Sequence, residues 1–170
     1  MTIYVALLRA VNVGGTGKMR MSDLKALCTK LGFRRVETYI ASVNIVFYSD
    51  EAPMKVLALL KEGLLSLAGK EVGVFLRTAA QMRTILSCNP FPDREPRFSY
   101  AIFLDEKPPA DTVAACRGRV QEELQVGRRE IYVHYPQGMG KSKLRIPAAR
   151  FGTARSMNTV AKLVEMSNRN

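Results

Sequence analysis

Residues 4–21 read YVALLRAVNVGGTGKMRM. The apolar run Ile3–Leu8 is typical of a strand that is buried on both faces. A glycine-rich turn with a lysine follows, and Ser22 is predicted to cap the next helix. The backbone amides of such a turn, together with the helix dipole, can hold an anion at the end of a sheet. This order predicts a fold built outward from an interior strand, with a candidate anion site at the turn.

The rest of the first half alternates between strand and helix patterns. It predicts strands at Arg35–Ile40, Ile45–Tyr48 and Val72–Leu76, with a helix from Pro53 to Gly69 before the last of them. The resulting order β-α-β-β-α-β is that of a split βαβ, or ferredoxin-like, sandwich with both helices on one face.

The second half repeats this topology without repeating the sequence. Its predicted elements are a helix capped by Thr78, a strand at Ser99–Leu104, a short helix from Ala110 to about Arg117, strands at Val120–Val126 and Glu130–Tyr135, and a last helix capped by Ser156 or Thr153. We therefore predict an α+β fold of two tandem ferredoxin-like subdomains packed together. The first lobe covers residues 1–77, and the second covers residues 78–170 with a basic C-terminal segment and helix.

The chain is strongly basic. Its 170 residues include 26 Lys and Arg against 15 Asp and Glu, for a net charge of +11. Such a charge favours anionic partners, including nucleic acid and nucleotides. Residues 139–155 form the most basic window, because they contain five cations and no acid. No apolar run reaches the roughly 20 residues of a membrane span, and no secretory leader is recognisable, so we expect a cytoplasmic protein with no membrane partner.

Patterns for cofactor, metal and catalytic sites are weak. Cys28, Cys88 and Cys116 lack metal-ligand spacing, which predicts reduced thiols. The segments around Lys18 and Lys141 are degenerate forms of a P-loop, so nucleotide hydrolysis of that class is disfavoured. We predict no cofactor and no metal. His134 is the one histidine and is interpreted as a half-exposed strand residue without an orienting carboxylate.

Two loops, residues 14–18 and 138–142, each combine glycines with lysine after a strand. Successive amides in such turns can bind an anion. The alternative is that the glycines supply positive φ and the lysine keeps the turn soluble. Polar residues of the β-hairpin near position 42 also fall among the candidates. The candidate ligand-binding residues are Arg9, Asn12, Gly14, Gly15, Gly17, Lys18, Ser42, Asn44, Lys141, Ser142, Lys143 and Arg155.

Five segments in a fixed order together resemble a known family. They read LLRAVNVGGTGKMRMSDLKALCTKLGF, VETYIASVNIVF, NPF, YVHYPQGMGKSKL and GTARSMNTVAKL. The set is similar to the bacterial family catalogued as domain of unknown function 1697. This chain has Ala10 and Val43 where members commonly have glycine, and Ser156-Met157 where Asn-Trp is common. The resemblance implies tandem ferredoxin-like subdomains, and it implies no accepted activity or catalytic residue.

The leading hypothesis is a protein that binds a phosphorylated or otherwise anionic small molecule. Its site would lie where Arg9, the loop Asn12–Lys18 and the segment Lys141–Arg155 approach one another. One alternative is an enzyme that acts on a phosphorylated small molecule with His134 or Ser142 as the reactive group. Another is nonspecific nucleic-acid binding through the basic C-terminal region.

Overall fold

The computed structural model describes residues 1–9, 19–40 and 43–169. Within these ranges the chain forms two four-stranded antiparallel sheets and four α-helices. The elements in chain order are β1 (Thr2–Arg9), α1 (Met21–Lys30), β2 (Arg34–Ile40), β3 (Val43–Ser49), α2 (Pro53–Ala68), β4 (Gly73–Thr78), α3 (Ala79–Ser87), β5 (Ser99–Phe103), β6 (Glu123–Val126), β7 (Glu130–His134), β8 (Thr153–Ser156) and α4 (Met157–Ser167).

The chain divides into two compact units. Unit 1 contains residues 1–83 and the chain from Leu163 on, and unit 2 contains residues 84–162. The helices α3 and α4 each begin in one unit and end in the other. The lobe boundary predicted between residues 77 and 78 stays a prediction. None of the helices in the described ranges combines the length and the apolar character that a membrane crossing needs.

The sheet of unit 1 is built around β1. Its strand order is β2-β3-β1-β4, and β1 pairs antiparallel with both β3 and β4. The residues from Tyr4 to Leu8 are all buried. An interior strand with both faces covered needs apolar side chains at odd and even positions alike, which is why the run is continuous. The prediction of an interior strand at Ile3–Leu8 is confirmed.

The helices α1 and α2 of unit 1 contribute to one hydrophobic core with a single face of this sheet. The buried residues of α1 are Leu24 and Cys28, and those of α2 are Val56, Leu60 and Leu64, at the spacing of a helical stripe. Gly63 lets the helices approach closely, since a Cβ at this position would lie 2.8 Å from a methyl group of Leu27. The two crossover connections of unit 1 are therefore closely packed helices.

The start of α1 differs from the prediction. The expected cap at Ser22 is wrong, because the helix begins at Met21 and the residue at the N-cap is Arg20, which makes no capping hydrogen bond. The partly buried side chains of Met19 and Met21 pack against the core of unit 1 and hold this turn. Arg20 also forms an exposed ion pair with Asp23 at 3.3 Å. Apolar packing, and not a hydroxyl, determines where the helix starts.

Thr78 caps α3 as predicted. The Gln81 amide donates to Thr78 Oγ1 at 3.1 Å, and the Thr78 amide donates to Gln81 Oε1 at 2.9 Å. This reciprocal pair is a capping box. We expect Thr78→Ala to lower the free energy of unfolding by about 1 kcal/mol, because one helix amide loses its acceptor. Urea unfolding measures the change. Ser22→Ala is the matched control and should leave stability nearly unchanged, and an equal loss in the two variants would contradict the assignment of the caps.

Unit 2 has the corresponding strand order β6-β7-β5-β8. The helix predicted at Ala110–Arg117 is wrong, since this segment consists of turns and ends in an extended bridge. Arg117 and Arg145 exchange two backbone hydrogen bonds of 3.0 and 2.7 Å. A helical residue could not present both of its peptide groups to another segment in this way. The strand β6 also begins three residues later than Val120, which is 85% exposed.

The crossovers of unit 2 differ in kind from those of unit 1. The connections 104–122 and 135–152 contain turns and two 3₁₀-helices, Met139–Lys141 and Pro147–Ala149, and no α-helix. Apolar side chains at Leu144 and Ile146 pack against the sheet face that carries Ile102 and Val133. Both irregular crossovers contribute residues to one cavity.

Candidate functional site

A cavity of about 520 Å³ lies between the two crossovers of unit 2. This volume falls in the range of about 300–1,000 Å³ that small-molecule sites occupy. Three short segments enclose it, at residues 118–122, 135–138 and 141–143. The lining residues are Gly118, Arg119, Val120, Gln121, Glu122, Tyr135, Pro136, Gln137, Gly138, Lys141, Ser142 and Lys143. The segment 141–143 carries three of the ligand-binding residues predicted from sequence.

The close approach of the two crossovers depends on Gly118. Its φ is +71°, in the left-handed region that favours glycine. A Cβ at this position would overlap the backbone carbonyl oxygen of Lys143. The backbone bridge between Arg117 and Arg145 lies directly beside this contact. Glycine is therefore required where the chain of one crossover passes against the chain of the other.

The buried carboxylate of Glu122 holds the cavity wall together. Its Oε1 accepts hydrogen bonds from the amides of Val120 and Gln121 at 2.9 and 3.2 Å. Its Oε2 accepts the Ser142 hydroxyl at 3.1 Å, although the two residues belong to different crossovers. Glu122 is only 7% exposed, so a carboxylate here needs these partners. We call this set of hydrogen bonds the Glu122 clip.

The hydrogen bonds of the clip keep Glu122 ionised at neutral pH. The Val120 amide is the main cause that lowers the pKa of this carboxyl, and burial acts in the opposite direction. The Glu122 amide, the Ser142 hydroxyl and the Gln121 amide lower the pKa further. The cavity wall therefore contains one negative charge whose lone pairs are largely committed to the protein.

Three exposed cations surround this wall. Arg119, Lys141 and Lys143 line the cavity, and none of them forms an ion pair with a carboxylate of the described residues. The side chain of Arg119 is partly oriented, because its Nε donates to the Glu122 carbonyl oxygen at 2.8 Å. The single negative charge of Glu122 therefore balances one of the three positive charges, and a net positive charge of two remains. The arrangement can attract an anion to the mouth of the cavity.

Most backbone amides of the loop 138–142 are already bonded within the loop. The amides of Gly138, Lys141 and Ser142 donate to carbonyl oxygens of Tyr135, Gly138 and Met139 at 2.9, 3.3 and 3.2 Å. The Ser142 hydroxyl donates to Glu122 and accepts from the Leu144 amide at 3.1 Å. The loop thus offers an anion the charges of its lysines more readily than a nest of free amides.

The other predicted ligand-binding residues with a described position do not line this cavity. Asn44 is buried in β3 and donates from Nδ2 to the Tyr39 carbonyl at 3.0 Å, so it stabilises the β2–β3 hairpin. Arg9 ends β1 opposite Gly73. Arg155 is buried in β8 and donates to Thr153 Oγ1 at 2.7 Å and to the Ala154 carbonyl at 2.9 Å. Burial lowers the pKa of Arg155 to about 10, which still leaves it charged at neutral pH.

The remaining predicted residues lie outside the described ranges. They are Asn12, Gly14, Gly15, Gly17, Lys18 and Ser42. The predicted convergence of the two glycine loops with Arg9 and Arg155 therefore stays a prediction.

His134 is not the half-exposed residue that the sequence suggested. It is 5% exposed, and its Nδ1 lies 2.9 Å from the Ser99 hydroxyl. Phe91 covers the ring, with centroids 5.9 Å apart, and β5 and β6 flank the strand on both sides. Burial, followed by the charge of Arg94, lowers the pKa of His134, which keeps the imidazole neutral at physiological pH. The residue does not line the cavity, so it is no candidate for chemistry there.

Glu122 and Tyr135 are site residues that sequence reasoning missed. Both lie in stretches that alternate like strands, and this pattern says nothing about a cavity. One signal was present, since Glu122 would stand on an otherwise apolar face if Val120–Val126 were a regular strand. A charged residue on a buried face indicates a partner, here the Ser142 hydroxyl.

A family model described as Protein of unknown function (DUF1697) matches residues 1–132. The chain belongs to this family. The matched residues of the DUF1697 chain run from β1 into β7 and include the cavity segment 118–122, whereas the segments 135–138 and 141–143 lie beyond the match.

A comparison with solved structures finds a similar chain, the conserved bacterial protein SP0830 from Streptococcus pneumoniae. The TM-score is 0.80 at 24% sequence identity, and the similarity covers 99% of each chain. At this level of identity the likeness shows that the DUF1697 chain shares the fold. A comparison with curated proteins gives no match.

Proposed function

We propose that the chain binds a phosphorylated or otherwise anionic small molecule in the cavity of unit 2. The observation that carries this proposal is the group of three exposed cations, Arg119, Lys141 and Lys143, around a cavity of about 520 Å³. Like charges placed together repel one another, so such a group is unfavourable for folding by itself. An anion that enters between the three cations offsets this repulsion. Anion binding therefore accounts for the presence of these cations around the cavity.

Removal of the two lysines should weaken anion binding without unfolding the chain. We expect the double variant Lys141→Ala/Lys143→Ala to bind inorganic phosphate and adenosine monophosphate about tenfold more weakly, which corresponds to about 1.4 kcal/mol. Isothermal titration calorimetry measures the affinities. Stability should change by less than about 0.5 kcal/mol per substitution, because both side chains are exposed.

The matched control is Lys61→Ala, which removes an exposed lysine of α2 in unit 1. It should leave the affinity for both anions unchanged. Equal weakening in the control would mean that net charge alone attracts the anion. Unchanged binding in the double variant would contradict the proposed site.

Nucleic-acid binding is a second candidate function, favoured by the exposure of Arg145 and Arg150 beyond the cavity lysines. Contacts between cationic side chains and the phosphates of a nucleic acid release counterions. The affinity for single-stranded RNA would therefore fall steeply with salt. An anion in a pocket would respond less steeply. Titrations at two salt concentrations separate the two functions, and a steep slope that Arg145→Ala and Arg150→Ala reduce would favour nucleic acid.

An enzyme that acts on a phosphorylated small molecule is a third proposal. It rests on the hydrogen bond of 3.1 Å from the Ser142 hydroxyl to the Glu122 carboxylate, which could accept a proton from that hydroxyl. Phosphate release from para-nitrophenyl phosphate, compared between the unmodified chain and Ser142→Ala, tests this activity. Equal rates in the two proteins would exclude Ser142 as the reactive group.

We further propose that the two units are tandem ferredoxin-like subdomains, in which unit 2 keeps the strand order and has turns and 3₁₀-helices in place of the two crossover helices. The corresponding strand orders, β2-β3-β1-β4 and β6-β7-β5-β8, support this description.

A cytoplasmic location is also proposed. It is supported by the three free cysteines, since thiols persist in reducing compartments.

A further inference from the structure

Tyr135 carries an unpaired hydroxyl at the cavity. The residue follows β7, lines the cavity and is only 6% exposed. Its ring packs edge-on against Tyr100, with centroids 5.6 Å apart. Within residues 1–9, 19–40 and 43–169, however, no group forms a hydrogen bond with its hydroxyl. This oxygen is not among the fully buried side-chain atoms that lack a partner, so it remains accessible to solvent.

Other buried tyrosines of this chain have partners for their hydroxyls. The Tyr132 hydroxyl donates to the Ile85 carbonyl at 2.8 Å, and the Tyr4 hydroxyl donates to the Glu51 carbonyl at 2.7 Å. Tyr135 is the exception at a place where space for a ligand exists. Its hydroxyl has no partner among the described residues and reaches solvent, so it is available to donate to an acceptor that enters the cavity.

The other buried polar groups of the lining are already satisfied. The Glu122 carboxylate accepts from two amides and from Ser142, and the Ser142 hydroxyl is both donor and acceptor. The cations and glutamines of the lining are exposed and reach solvent. Among the buried lining groups, the Tyr135 hydroxyl is the donor that remains for a ligand.

The phenol is neutral and has a negative neighbour. Burial raises the pKa of Tyr135 to about 12, and the charges of Tyr100 and Glu122 raise it as well. The hydroxyl thus keeps its proton at physiological pH and can donate it in a hydrogen bond. The ionised Glu122 disfavours an anionic group at the same depth, whereas an uncharged acceptor such as a carbonyl oxygen or a ring nitrogen meets no such repulsion.

We propose that the cavity takes an organic anion with two distinct ends, resting on the anion-binding function proposed above. The anionic group lies at the mouth against Lys141 and Lys143. An uncharged body reaches inward, and its hydrogen-bond acceptor binds the Tyr135 hydroxyl. The ligand class is an organic phosphate or carboxylate with a carbonyl or ring-nitrogen acceptor, in contrast to inorganic phosphate or a polyphosphate.

Three probes with the same anionic group test the proposal in the unmodified chain. They are inorganic phosphate, phenyl phosphate and para-acetylphenyl phosphate, which add first an apolar body and then a carbonyl acceptor. We expect the affinity to increase at each step, with para-acetylphenyl phosphate binding roughly fivefold more tightly than phenyl phosphate through one neutral hydrogen bond. Calorimetric titration at one pH and salt concentration measures the series.

Tyr135→Phe removes the hydroxyl and retains the ring that packs on Tyr100. In this variant para-acetylphenyl phosphate should lose its fivefold advantage, while the affinities for the other two probes stay unchanged. Tyr100→Phe is the matched control, because Tyr100 does not line the cavity. It should leave the whole series as it is in the unmodified chain.

The outcomes separate this inference from the function on which it rests. If all three probes bind equally and Lys141→Ala/Lys143→Ala weakens each of them, the two-ended ligand is wrong and the anion site stands. The two-ended ligand is equally wrong if Tyr135→Phe leaves the advantage of the acetyl group intact. If none of the probes binds at millimolar concentration, both the anion-binding function and this inference are overturned.

Discussion

Replacement of Gly118 by alanine should lower the free energy of unfolding by roughly 2–4 kcal/mol. The left-handed backbone at φ +71° costs an alanine about 1–2 kcal/mol. The new Cβ would also overlap the Lys143 carbonyl oxygen, and a backbone atom cannot rotate away as a side chain can. Relief requires the two crossovers to separate, which weakens the adjacent hydrogen bonds between Arg117 and Arg145 at about 1 kcal/mol each.

Gly140→Ala provides the matched control for this substitution. Gly140 lies in the same cavity region, its φ is not positive, and a Cβ there would meet no atom within 4 Å. Urea unfolding should therefore separate the two variants clearly, with Gly140→Ala close to the unmodified chain. Equal stability of the two alanine variants would mean that the crossovers do not approach as described. Loss of anion binding in Gly118→Ala alone would show that the same approach shapes the cavity.

Replacement of Glu122 by alanine should cost about 1–3 kcal/mol at neutral pH. The substitution leaves the amides of Val120 and Gln121 and the hydroxyl of Ser142 without their acceptor in a largely buried place. Glu122→Gln should cost less, since its amide oxygen can still accept from both backbone amides. Denaturant unfolding of the two variants beside the unmodified chain measures the difference.

The contribution of Glu122 should also depend on pH in a defined direction. The pKa of its carboxyl is lower in the folded chain than the ordinary value of 4.5. The unfolded chain therefore binds the proton more readily, and the ionised form stabilises the folded state above that ordinary value. This stabilisation is lost as the pH falls through the lowered folded pKa.

Stability measured from neutral pH down to acid should thus fall less in Glu122→Gln than in the unmodified chain, because the amide does not titrate. The difference in the free energy of unfolding between the two proteins should become smaller toward low pH. A gap that widens instead on acidification would show that the sign of the pKa shift is wrong. A difference in the free energy of unfolding that does not change with pH would mean that the Glu122 clip acts through packing and not through charge.

Several features of this chain are determined by sequence that is local to them. The unbroken apolar run of β1 predicts an interior strand because both faces of such a strand meet apolar layers. The limits of α2 follow from Pro53, which fits the first turn of a helix, and from Gly69, whose φ of +72° ends it. The capping box of Thr78 and Gln81 likewise forms within four consecutive residues.

The cavity was decided by tertiary structure. Glu122 meets Ser142 across 20 positions of sequence, and Arg117 meets Arg145 across 28. These pairings replace the helix predicted at Ala110–Arg117 with turns. They also place the buried carboxylate of Glu122 beside residues 141–143 of the basic window, which itself contains no acid.

The burial of His134 and the unpaired hydroxyl of Tyr135 depend in the same way on what packs above β7. Periodicity and caps report the interactions of a residue with its neighbours along the chain. The partners of Glu122, His134 and Tyr135 are instead brought to them by the folding of distant segments, which is why only the tertiary structure decided them.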